Sequence, residues 1–144
     1  MDAEWEKPIA EAIAAKLLTV EGIRQAVPLG SDNLTMLPGA LVMTPRLELL
    51  ERTGSHEAWR ATYPCLVVVK VTKTDRALEA LASFAGKIRI AWRAGIKLGL
   101  VYVQDSWVAG FDPELVQLAG ADHPAYAFDI VTLVRETLTA TRTA

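Results

Sequence analysis

The stretch Glu57–Thr72, EAWRATYPCLVVVKVT, decides how this chain is read. Trp59, Ala61, Tyr63, Cys65, Val67, Val69 and Val71 recur at every second position, so they share one face of an extended strand. The other face carries Arg60, Thr62, Leu66, Val68 and Lys70. Such a strand needs a partner, and the sequence offers one just upstream. Pro38–Arg52 contains Ala40-Leu41-Val42-Met43 and Leu47-Glu48-Leu49, and Thr53-Gly54-Ser55-His56 supplies turn chemistry between the two segments. The spacing predicts a long hairpin over about 38–72. Pro45 cannot donate to a ladder and marks an edge, a bend or a bulge.

Outside the hairpin, Ile9, Ile13 and Leu17 step by four and predict a helix from about Glu4 to Leu18, with Pro8 in its first turn. Val20–Leu29 reads as a short extended connection, and Gly30–Asn33 as a loop. A second helix is expected from Thr74 or Asp75 to about Ala94, before Gly95, with Leu78, Leu81, Ala85, Ile88 and Trp92 as its apolar stripe. Two further strands follow, Leu100–Ala109 and Ala125–Leu138, and Asp112-Pro113-Glu114 between them suggests a turn or two of helix through Leu118. The expected fold is α/β of the α+β kind. It is one domain over 1–144, with a mostly antiparallel or mixed four-stranded sheet and helices packed on one face.

With 144 residues, 51% hydrophobic and 22% charged, the chain has ample material for one core. A net charge of -2 draws it neither to DNA nor to anionic lipid. The longest apolar runs are strand-length, and the acidic, polar start Met1–Lys7 is unlike a secretory signal, so no membrane partner is expected. The lone cysteine, Cys65, lies in an apolar run and reads as a buried reduced thiol, in keeping with synthesis in a cytoplasm.

Catalytic equipment is not visible. Two histidines and one cysteine give no zinc spacing, and His56 and His123 read as solvated loop residues. Asp105, Asp112, Glu114 and Asp122 form the densest acidic set, yet their spacing resembles no calcium loop. No cofactor, no metal and no enzyme activity are expected. Lys70, Lys73, Arg76, Lys87, Arg89, Arg93 and Lys97 give the second helix a modest positive bias, short of a phosphate track. More telling is apolar surplus. Leu47, Leu49, Leu50 and Trp59 sit toward the distal end of the hairpin, and Ile90 interrupts the polar face of the second helix. These five are the candidate subunit or tube contacts.

The order of elements resembles the tail terminator (tail completion) proteins of long-tailed bacteriophages, of the lambda minor tail protein U kind. The resemblance runs over about residues 4–138. It rests on the opening helix Ile9–Leu18, the connection Val20-Glu21-Gly22-Ile23 and the strand start Leu37-Pro38-Gly39-Ala40. The long hairpin, the helix after Thr72–Asp75 and the last strand with Tyr126-Ala127-Phe128-Asp129-Ile130 complete it. It implies a homo-hexameric ring that caps the tail tube at the head-proximal end of the virion tail. That ring ends tube polymerisation and meets the major tail tube protein below and a head-completion or connector protein above. Genomic DNA would pass through its lumen without specific binding. Another head–tail connector (neck, stopper or head-completion) protein, or a small nucleic-acid-binding α/β domain, are the alternatives.

Overall fold

The computed structural model describes residues 5–29, 34–70, 74–93, 97–118 and 120–137. The expected Gly30–Asn33 loop, the hairpin's last residues Val71 and Thr72, and the Ala94-Gly95 helix stop lie outside the described residues. In chain order the described elements are α1 (Glu6–Leu18), β1 (Gln25–Val27), β2 (Gly39–Val42), β3 (Arg46–Arg52), β4 (His56–Val68), α2 (Thr74–Ala91), β5 (Val103–Leu118) and β6 (Ala121–Thr137). The strands form one mixed sheet in the order β1-β2-β4-β6-β5, and β3 also pairs with β4. Only β1 and β2 run parallel; the other pairs are antiparallel.

The α+β class and the helices on one face agree with expectation, but the sheet has six strands among the described residues, not four. Two local causes account for the difference. The segment 38–52 does not run as one strand. Residues 43–45, ending in Pro45, interrupt it, so that β2 pairs with Cys65–Val68 and β3 with Glu57–Thr62. The connection Val20–Leu29 contains β1, whose three residues are too short to show a period.

A second correction concerns Pro113–Leu118, which is strand and not helix. Gly110 takes a left-handed φ of 65° where the β5–β6 register slips between Ala109 and Asp112, and beyond this bulge the chain resumes pairing. Pro113 is tolerated because β5 ends the sheet, so a missing N–H on its outer side interrupts no described ladder.

β4 behaves as its alternation requires. Ala61, Tyr63, Cys65 and Val67 are buried and join Phe128, Ile130 and Val134 of β6 in one main cluster. Both helices cover that face. α1 presents Ile9, Ile13 and Leu17, and α2 presents Ala77, Leu81, Phe84, Ile88 and Trp92. Burying side chains of this size stabilises the fold by roughly 1.5–3 kcal/mol each. Of the expected stripe on α2, Leu81, Ile88 and Trp92 are buried, while Ala77 and Phe84 take the inward places expected of Leu78 and Ala85. Leu78 is 54% exposed.

A smaller cluster, Val27, Leu34, Leu41, Val68 and Ala125, lies on the opposite face at the β1–β2 end, with Leu37 packed against it. Gly39 makes that packing possible: a Cβ there would meet Leu34 Cδ1 at 2.5 Å and the Met36 carbonyl oxygen at 2.6 Å.

Candidate assembly surface

The sheet registers place the five candidate contacts. Leu49 of β3 stands opposite Trp59 of β4, Trp59 opposite Val134 of β6, and Val134 opposite Val103 of β5. The next row is Leu47, Ala61, Thr132 and Ser106. Cross-strand neighbours share a face, so both rows lie on the face the helices cover. Burial falls off along them. Val103 and Val134 are buried in the main cluster, Trp59 is half-buried against it, and Leu49 is 44% exposed. The apolar layer therefore continues one strand beyond its cover.

All seven residues of β3 are exposed. A register shift between Leu49 and Glu51 leaves Leu50 as the extra residue of a bulge. Three charges of β3 pair along the hairpin while remaining exposed. Glu48 accepts from Arg60 Nη1 at 2.8 Å, Arg52 Nε lies 3.3 Å from Glu57, and Glu51 Oε1 lies 2.9 Å from His56 Nε2. β3 thus exposes three leucines interleaved with these charges and, on its outer side, backbone to which no described strand pairs. The other end of the sheet is guarded. β5 carries two register shifts, left-handed Gly110, and Pro113, devices that blunt an edge against chance pairing.

Leu47, Leu49, Leu50 and Trp59 are thus brought together, with Trp59 half-buried against the main cluster. Ile90 is 60% exposed on α2, a separate element. Sequence reasoning missed Val101, which precedes β5 and is 98% exposed, and Leu115 of β5. Val101 lies in the turn before β5 and not within the strand expected from Leu100, and for Leu115 the one-sided burial of an edge strand leaves no signal in a single sequence.

The chemical candidates scatter. Cys65 is buried, its Sγ donates toward the Tyr63 carbonyl oxygen at 3.4 Å, and burial pushes its thiol pKa far up, which suppresses the nucleophilic thiolate. His56 is not a solvated loop residue but the hydrogen-bonded first residue of β4. His123 likewise lies within β6, opposite Val116. Of the acidic set, Asp105 accepts from the Ser106 amide, and among the described residues no three His, Cys, Asp or Glu side chains converge as metal ligands.

Arg76, Arg89, Arg93, Lys70 and Lys97 are exposed. Lys87 donates to the Glu21 carbonyl and lies over the Phe84 ring, while Lys73 lies outside the described residues. A cleft of about 490 Å³ opens between Trp5, Val101, Tyr102, Gln104 and the Arg135–Thr137 end of β6. Among the described residues no helix is long and apolar enough to cross a membrane. No protein-family model matches the chain, and no curated protein matches it in sequence.

Proposed function

We propose that the chain is a structural assembly protein of the tail terminator type and not an enzyme. In this reading six copies close into a ring at the head-proximal end of a virion tail. The ring caps the tail tube, ends tube growth and receives a head-completion protein, while DNA passes through the lumen unbound. The observation that supports this reading is the apolar shelf of Leu47, Leu49 and Leu50, continuous with the core through Trp59 and left without cover.

A ring built from one kind of subunit uses a heterologous contact, in which two different patches of each copy meet. The asymmetry of the sheet suits such a contact: one side carries a leucine-bearing strand with a single bulge, the other ends in a strand with two register shifts and a proline. The net charge of -2 is compatible with a lumen that must not retain DNA.

Native mass measurement with negative-stain imaging of the purified chain, alone and with tail tubes, tests the proposal. A six-fold ring on tube ends is the expected result. A monomer that ignores tubes at micromolar concentration overturns it.

A further inference from the structure

The tip of the β3–β4 hairpin holds an arrangement that depends on where one proton sits. His56 has its side chain only 16% exposed, and its two ring nitrogens face opposite kinds of partner. Nε2 lies 2.9 Å from Glu51 Oε1 on β3. Nδ1 lies 3.3 Å from Arg135 Nη2 on β6, 3.1 Å from Thr53 Oγ1 and 3.4 Å from Ser55 Oγ.

Arginine can only donate, so its approach requires a lone pair on Nδ1, and the ring proton then belongs on Nε2, where the Glu51 carboxylate accepts it. The neutral imidazole protonated at Nε2 is the state that meets both charged neighbours: its single Nδ1 lone pair accepts from Arg135, while Ser55 Oγ can donate to Thr53 Oγ1 and Thr53 Oγ1 to the His56 carbonyl oxygen. The remaining charges nearby do not compete for it. Glu57 is engaged by Arg52 and stands opposite Glu136 on the ladder.

A second proton can go only to Nδ1. There it meets the Arg135 guanidinium head-on, donor against donor and cation against cation, while the Ser55 and Thr53 hydroxyls can turn to accept it. Glu51 meanwhile gains a full ion pair. Protonation therefore exchanges partners: the tie from His56 to β3 strengthens and the tie to β6 breaks. Arg135 also lines the cleft beside Trp5, Tyr102 and Glu136, so its release rearranges that wall as well.

We infer that His56 is a proton-sensitive latch, holding Arg135 to the hairpin turn when neutral and releasing it when charged. Histidine is the side chain suited to such a role, since it takes up a proton between about pH 5 and 8. The inference stands independently of ring formation.

Long-range nitrogen NMR of the full chain from pH 8 to pH 5 tests it. At pH 8 the His56 ring signals report the neutral form protonated at Nε2. On acidification the Arg135 side-chain signals shift with the same midpoint as the His56 ring, and in His56→Gln they stay fixed across the range. A ring protonated at Nδ1 at pH 8, or Arg135 signals that ignore the His56 titration in the unaltered chain, overturns the latch. These two readings need no variant to fold.

Discussion

Leu49 stands opposite Trp59 across the β3–β4 ladder, and the pair marks the step from core to surface. Trp59 packs against the main cluster and its indole Nε1 donates to Glu57 Oε1 at 3.3 Å, whereas Leu49, one strand further out, remains 44% exposed. The two residues are therefore expected to answer substitution differently.

Replacing Leu47 and Leu49 together by serine removes exposed apolar surface and leaves the core intact. Monomer stability is expected to change by no more than about 0.5 kcal/mol per site, while the ring formation proposed above is lost. Denaturant unfolding combined with native mass measurement checks both halves. Trp59→Ala, by contrast, is expected to cost about 2 kcal/mol or more, short of the ~3–5 kcal/mol of a fully buried aromatic. A double serine variant that unfolds like Trp59→Ala would mean that the leucines belong to the subunit's own core.

Tyr63 carries a second measurable contact. Its hydroxyl donates to the Glu6 carbonyl oxygen at 2.8 Å, linking the middle of β4 to the first turn of α1 from a fully buried position. Tyr63→Phe removes the donor and leaves the half-buried Glu6 carbonyl with only its helix bond, for an expected loss of about 1 kcal/mol. Amide exchange checks it, with protection falling first in α1.

Much of this architecture is legible in the residues. The alternation from Trp59 to Val67 fixes which face of β4 is buried, and Ile9, Ile13 and Leu17 fix the face of α1. Three features are not legible, each for a physical reason. β1 owes its strand geometry to pairing with β2 and has no period of its own. Pro113 resembles a helix start by every local rule, and only its place at the sheet's outer strand makes it a β residue. On α2 both Ala77 and Leu78, and both Phe84 and Ala85, are apolar neighbours, so the sequence does not say which of each pair faces the sheet. At the candidate surface the leucines of β3 stand out in the sequence. That Trp59 is their anchor follows from the width of the helix layer, which no spacing encodes.

Burial of two acids makes alkaline stability predictable in sign. Both Tyr63 and Cys65 have their pKa raised, first by desolvation and then by nearby negative charge, Glu6 for the tyrosine and Asp129 for the thiol. In the unfolded chain these groups ionise near pH 10 and 8.5. Above those values the unfolded state releases protons that the folded state keeps, so stability is complete below about pH 8.5 and falls as pH rises. The slope is at most about 1.4 kcal/mol per pH unit for each group. Urea unfolding between pH 7 and 11 should show this decline. In Cys65→Ala the decline should begin about one and a half units later, on top of a constant loss from the cavity. An unchanged onset would assign the alkaline loss to groups other than the thiol.

Gly39 tests the smaller cluster in isolation. An added methyl group meets two obstacles of unequal stiffness. Leu34 Cδ1, at 2.5 Å, is the end of a side chain and can swing aside. The Met36 carbonyl oxygen, at 2.6 Å, is backbone and moves only with its segment. Relief therefore requires the 34–37 segment to lift from Leu41, Val68 and Ala125, exposing the face it covers. Gly39→Ala is expected to destabilise by about 2–3 kcal/mol, the upper part of the range for overpacking. The clash lies on the face opposite Leu47 and Leu49, so whatever fraction remains folded should assemble as the unaltered chain does. Unfolding by urea alongside native mass measurement separates the two effects. A variant within about 0.5 kcal/mol of the parent would mean that the segment yields freely and is not part of the cluster's cover.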